Sequence, residues 1–165
     1  MDERDGSRDF DPLVGDWDFH LRRLQRPLTG STEWVEFVGT SRCRNVWDGR
    51  AQVDELSIVS QKDGAKIEGL TLRLYNPQTH EWSIYWANGK NPSLGRPQVG
   101  KFVDGRGEFY DHDEIEGKKV LVRWVWLDLS SGSPKFEQSF SPDEGKTWET
   151  NWVTVQRRHD DARKD

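Results

Sequence analysis

Strand-like runs of β-branched and aromatic residues alternate with glycine-bearing turns along most of this chain, and helical periodicity is almost absent. The runs lie near residues 15–25, 33–46, 50–60, 65–75, 81–87, 98–103, 106–112, 118–129, 135–140 and 147–156. Asp48-Gly49, Asp63-Gly64, Asn88-Gly89, Asp104-Gly105 and Glu116-Gly117 each put a turn dipeptide between two runs. Asn76-Pro77 and the 130–134 stretch do the same with other turn chemistry. Sequential strands joined by tight turns make an antiparallel meander, and a sheet of about ten strands tends to close because closure removes its edges. The expectation is all-β: a single antiparallel meander β-barrel of about ten strands, preceded by one helical turn within residues 9–14.

Alternation at period two supports strands. Ile84 stands between Trp82 and Trp86, Val122 between Val120 and Trp124, and Thr150 between Trp148 and Trp152. The opposite faces are not fully polar, since they carry Tyr85, or Leu121 with Val125 and Leu127, or Val153 and Val155. A solvated outer wall does not need those residues. Either something packs on it or the chain pairs with a copy of itself, and a homodimer is the preferred explanation. Residues 88–97 hold two glycines, two prolines and two asparagines, too long a stretch for a tight turn and suited to a lid at one barrel mouth.

The 165 residues suit one core, and nine Trp, seven Phe and three Tyr concentrate the apolar area in a few large side chains. Such a surplus fits either a thick aromatic core or an aromatic-lined pocket. Residues 1–9 and 157–165 are charged and read as flexible ends around a domain of residues 10–156. The formal net charge is -5 with both signs interleaved, so no basic face recommends nucleic acid or an anionic membrane as partner. Cys43 is the lone cysteine, the start has no apolar run to serve as a signal peptide, and the cytoplasm is the default compartment. No stretch approaches the roughly 20 apolar residues that cross a bilayer as a helix.

Gly15-Asp16-Trp17 follows Asp9-Phe10-Asp11-Pro12-Leu13-Val14, and this order resembles the entry of lipocalin-like barrels. The resemblance implies that the glycine admits a tight turn into the first strand and that Trp17 covers the closed end. Across residues 10–155 the chain is similar to a bacterial lipocalin-like, calycin-type domain family of largely unassigned function. That similarity is carried by Leu13-Val14-Gly15-Asp16-Trp17, Gly69-Leu70-Thr71-Leu72-Arg73-Leu74-Tyr75, Glu81-Trp82-Ser83-Ile84-Tyr85-Trp86, Gly105-Arg106-Gly107-Glu108-Phe109-Tyr110 and Lys146-Thr147-Trp148-Glu149-Thr150-Asn151-Trp152. It implies a fold and carries over no catalytic residue.

Ser141-Pro142-Asp143-Glu144-Gly145-Lys146-Thr147-Trp148 matches an Asp-box, in which serine and aspartate tie a hairpin turn and the tryptophan packs beneath it. One copy without propeller repeats says nothing about glycoside chemistry. His20, His80, His112 and His159 have no zinc-like spacing, and Asp111-His112-Asp113-Glu114 reads as a solvated loop, so no metal is expected. Haem-binding relatives use a histidine near the C-terminal end, and residues 147–156 hold none, so no cofactor is expected. Cys43 has no nearby histidine, no Gly-x-Ser-x-Gly elbow occurs, and no glycine-rich loop opens a helix for a phosphate.

Polar groups inside apolar strands are what remains: Glu55, Glu68, Arg73, Tyr75, Tyr85, Arg123, Glu137 and Asn151. They face either solvent or a wet lumen, because a buried charge must be paired. Two functions follow. In the first, Trp82, Trp86, Trp124, Trp126, Trp152 and Tyr75 enclose a small, mostly apolar or aromatic molecule. In the second, a cofactor-free isomerase, cyclase or lyase uses Glu68 or Glu137 with Arg73 or Arg123 and Tyr85 for proton transfer. A module that only assembles through its apolar outer face is a third reading. Any site is expected at the mouth opposite Gly15-Asp16-Trp17, near residues 88–97.

Overall fold

The computed structural model describes residues 5–159. Among these, ten antiparallel strands follow one another around a closed barrel. They are β1 (Gly15–Leu24), β2 (Trp34–Val46), β3 (Ala51–Ser60), β4 (Lys66–Asn76), β5 (Glu81–Asn88), β6 (Gln98–Val103), β7 (Arg106–Ile115), β8 (Lys118–Leu127), β9 (Lys135–Ser141) and β10 (Glu149–Arg158). The last strand returns to pair with the first, Trp17 opposite Arg158 and Arg23 opposite Trp152. The ladder is thinnest between β5 and β6, where residues 82–84 pair with 98–100. Several turns carry the dipeptides read in the sequence. Asp104 and Gly105 have φ of 49° and 81°, Glu116 and Gly117 49° and 80°, the left-handed pair whose twist matches the flanking strands of a two-residue hairpin.

One end of the barrel is plugged from within. Pro12 helps start a single 3-10 turn, Asp11–Leu13, which turns Phe10 and Leu13 into the lumen. The Phe10 ring centroid lies 5.1 Å from those of Trp82 and Phe102, 5.7 Å from Phe109 and 6.0 Å from Trp126. The edge-to-face pairs among these, with Trp82, Phe102 and Trp126, add about 0.5–1.5 kcal/mol each to the area they bury. Trp17 Nε1 donates to the Leu13 carbonyl at 2.7 Å. Arg158 lies 4.0 Å over the Trp17 ring and donates to the carbonyls of Val14 at 2.5 Å and Pro12 at 3.0 Å. The end of the last strand thus clamps the plug onto the first, satisfying backbone oxygens that the short turn leaves free.

The ordered body extends past residues 10 and 156 at both ends. Tyr75 Oη donates to the Asp5 carbonyl, and Trp82 Nε1 donates to that of Gly6 at 2.9 Å. Two aromatic side chains that need acceptors therefore tie down residues expected to fray. At the other end β10 continues to Arg158, and His159 Nδ1 meets Asp18 Oδ1 at 2.7 Å. The rest of both expected tails, residues 1–4 and 160–165, lies outside the described residues.

The outer wall of β8 is covered in part by the chain itself. Val125 is buried, while Leu121 and Leu127 are half-buried. The Asp-box folds against this wall, placing the Trp148 ring 6.3 Å from that of Tyr110 and 4.1 Å from the Arg123 guanidinium carbon. The hairpin is tied as its residue types imply: Ser141 Oγ donates to Asp143 at 2.8 Å, and Asp143 accepts from Thr147 N–H at 2.8 Å and Oγ1 at 2.6 Å. The apolar residues of this wall do not by themselves call for a second copy.

Two measurements check this description. A Cβ at Gly100 would lie 1.8 Å from the Glu108 carbonyl oxygen, which is ladder backbone and cannot step aside; Gly100→Ala is expected to lower unfolding free energy by roughly 1–3 kcal/mol in urea titrations. Hydrogen bonds from Thr147 hold the Asp143 carboxyl at about 2, below the ordinary 3.8. Its contribution is therefore full above 3.8 and is lost as pH falls through about 2. Wild type should exceed Asp143→Asn in stability at neutral pH, and the gap should close in strong acid; a gap independent of pH would contradict the tie.

Candidate functional site

Inward residues of alternate strand positions enclose a cavity of about 460 Å³ above the aromatic plug. Its inner end is polar, formed by Asp54, Arg73, Trp126 and Gln156. Its walls are apolar, with Phe19, Leu56, Ile84, Phe136, Phe140 and the rings of Trp86, Trp124 and Trp152. Trp86 can lie flat against the wall because Gly69 faces it: a Cβ there would sit 1.9 Å from the Trp86 ring. At the mouth stand Arg23, Arg26, Pro27, Ile115 and Glu116.

Arg73 is the center of the inner end, only 1% exposed. Its guanidinium carbon lies 4.9 Å from the Phe10 centroid and 5.2 Å from that of Trp126. Nη1 donates to Gln52 Oε1 at 2.9 Å, and Nη2 donates to Asp54 Oδ2 at 3.4 Å. Gln52 in turn donates to the Phe10 carbonyl at 2.9 Å, so the plug and the cation share one bridge. An ion pair this deep persists only with good partners on both sides. Burial raises the Asp54 carboxyl above its ordinary value, and Arg73 pulls it only part of the way back. Burial also pushes the neighbouring Cys43 thiol up to about 12, which leaves it protonated and unreactive at neutral pH.

Polar atoms on the upper wall find partners within the protein. Trp124 Nε1 donates to Gln138 Oε1 at 2.7 Å, Gln138 Nε2 to Asn151 Oδ1 at 2.8 Å, and Trp152 Nε1 to Thr154 Oγ1 at 3.1 Å. Asn151 turns inward beside Trp152 because the β9–β10 register slips between Thr150 and Trp152. At the inner end the accounting differs. Arg73 Nε, Trp126 Nε1 and Gln156 Nε2 are buried donors with no partner. Ser41 Oγ lies beside Asp54 and helps to hold its carboxyl down, though neither that hydroxyl nor Asp54 Oδ1 has a partner in full hydrogen-bond geometry. Each such group costs about 1–3 kcal/mol if nothing answers it.

Of the aromatic residues expected to bind a ligand, Trp86, Trp124, Trp126 and Trp152 line this cavity. Trp82 and Tyr75 instead belong to the plug below it, in contact with each other at 5.2 Å. The acid–base set is not assembled. Arg73 faces the lumen, but Ile84 and Trp86 line the cavity, so Tyr85 between them points outward. The same alternation turns Arg123 out beside Trp124, where it stacks on Trp148, and Glu137 out between Phe136 and Gln138. Glu68 is on the outer wall, paired with Lys66 at 2.7 Å, and Glu55 is exposed on that wall as well. The carboxylate that does meet Arg73 is Asp54, which shares strand parity with Gln52, Leu56 and Ile58; polar residues on an apolar parity were the available signal.

Residues 88–97 also take a different place. None of them lines the cavity, whose mouth is built by the β1–β2 and β7–β8 connections. The segment is mostly exposed, held by an Asn88–Asn91 bridge and an Arg96–Asp111 ion pair at 2.5 Å. β6 begins only at Gln98, so this stretch spans the missing upper part of that strand rather than capping the lumen. Among the described residues no three His, Cys, Asp or Glu side chains gather as an ion site. His112 Nε2 instead lies 3.0 Å from Glu144 Oε2.

No protein-family model matches the chain, and no curated protein matches it in sequence. Solved structures do. An S-type phycobiliprotein lyase, CPES from Guillardia theta, aligns with TM-score 0.63 at 11% identity over 96% of this chain and 97% of that one. A weaker likeness, TM-score 0.49 at 12% identity over 93% and 99%, is to EF1p2_mFAP2b bound to DFHBI. At such identity the first establishes a shared barrel fold and nothing about chemistry.

Removing one member of the buried pair should expose how much it is relied upon. Arg73→Met, similar in length, leaves Asp54 uncompensated and is expected to cost about 3–5 kcal/mol in urea unfolding. The Arg73→Met, Asp54→Leu double variant should recover much of that loss. Equal destabilisation in both would mean that packing, not charge pairing, holds the inner end.

Proposed function

We propose that the barrel binds one small, mostly apolar, planar molecule in its lumen. The observation that carries this reading is the contrast within one cavity: apolar walls whose polar atoms are satisfied, and an inner end whose donors are not. A volume of about 460 Å³ falls within the range of small-molecule pockets. Flat rings at Trp86, Trp124 and Trp152 suit a planar body through stacking and burial.

The catalytic alternative loses its machinery, because Glu68, Glu137, Arg123 and Tyr85 stand outside the lumen. Asp54 and Arg73 are left, and each has the other for a partner. The phycobiliprotein lyase of similar fold acts on its own substrate, and 11% identity lends this chain none of that chemistry.

A neutral fluorescent probe tests the reading. N-phenyl-1-naphthylamine should bind with one site per barrel, gain emission and quench tryptophan. Thr71 lines the cavity, and Thr71→Trp should fill it and abolish binding at a stability cost of about 1–3 kcal/mol. Undiminished binding in a folded Thr71→Trp protein would place the probe elsewhere and end the proposal.

A further inference from the structure

We infer that the buried end of the ligand is a neutral carbonyl-type acceptor, a ketone, lactam or ester oxygen, rather than a carboxylate. This rests on the binding reading above and names the chemistry that the inner end of the same cavity would select. Three residues that line it carry buried donors without partners: Arg73 Nε, Trp126 Nε1 and Gln156 Nε2. Their residues are 1%, 6% and 2% exposed, so bulk solvent does not reach them freely. Three donors ask for acceptor lone pairs, and a carbonyl oxygen supplies two without bringing a donor of its own.

Charge then separates a carbonyl from a carboxylate. The Arg73 cation already has a counter-ion in Asp54 at 3.4 Å, so the inner end is balanced before a ligand arrives. A second carboxylate would enter a low-dielectric space beside Asp54 with no free cation to answer it. Charged groups belong at the mouth, where Arg23, Arg26 and Glu116 are exposed to water. The ordering is therefore neutral acceptor inward, flat apolar body along the tryptophan walls, and any solvated substituent outward.

The test is displacement of N-phenyl-1-naphthylamine by three naphthalenes of nearly one shape: 2-acetylnaphthalene, 2-isopropenylnaphthalene and 2-naphthoate. On the wild-type protein the ketone should displace the probe about tenfold better than the hydrocarbon, the worth of one or two net hydrogen bonds in a buried site. It should also outdo the carboxylate. In Gln156→Leu and Trp126→Phe the advantage over the hydrocarbon should shrink, while hydrocarbon binding stays. Equal displacement by ketone and hydrocarbon, or best displacement by naphthoate, overturns the inference on wild-type protein alone, whatever the variants do to folding. Failure of the probe itself to bind would instead bring down the cavity reading on which it stands.

Discussion

A guanidinium kept out of water must find partners for its charge, and the barrel is organised around supplying them to the one at Arg73, all but its Nε. Two faces of it are closed by the Phe10 and Trp126 rings, and its two outer nitrogens reach Gln52 and Asp54. Gln52 passes the connection to the Phe10 carbonyl, so the position of the plug and the position of the cation are set together. What lies below Arg73 is solid aromatic packing, and what lies above it is space. The residue marks the boundary between the packed part of the lumen and the part left open.

The two ends of the molecule divide the labour accordingly. At the plugged end Trp17, Arg158 and the 3-10 turn satisfy one another's hydrogen-bonding groups and leave little room for change. At the open end the walls keep their apolar rings without filling the middle. Outside, the Asp-box hairpin covers part of the β8 wall that would otherwise expose apolar residues. The void is thus flanked by the aromatic plug and by two smaller buried clusters, one around Leu21 and Ile58 and one around Val120 and Val122.

The fold was legible because turn chemistry is local. Asp104-Gly105 and Glu116-Gly117 announce left-handed pairs that almost any tertiary setting accepts, and the strands between such turns fall within three residues of where period two places them. The site was only half legible because facing is global. Glu68 and Arg73 look alike as charges in apolar strands, yet one is solvated and the other is the most deeply held charge in the lumen. Trp82 and Trp86 share parity, and only the depth of the plug separates core from cavity wall. Asp54, Gln156 and the inward turn of Asn151 depend on register and on a bulge that no single-chain pattern reveals. Residues 88–97 looked like a lid for their length, and were displaced from the mouth by the shortness of β6.

A closed sheet behaves as a hoop, and a hoop yields at its weakest link. Most neighbouring strands here share seven or more paired positions, but β5 and β6 share three. Local opening is cheapest where the fewest backbone bonds must part. The seam between β5 and β6 is therefore where the circumference of the barrel is least tied. The joint that closes the hoop most lightly is thus on the strand that carries both Trp82 of the plug and Trp86 of the cavity wall.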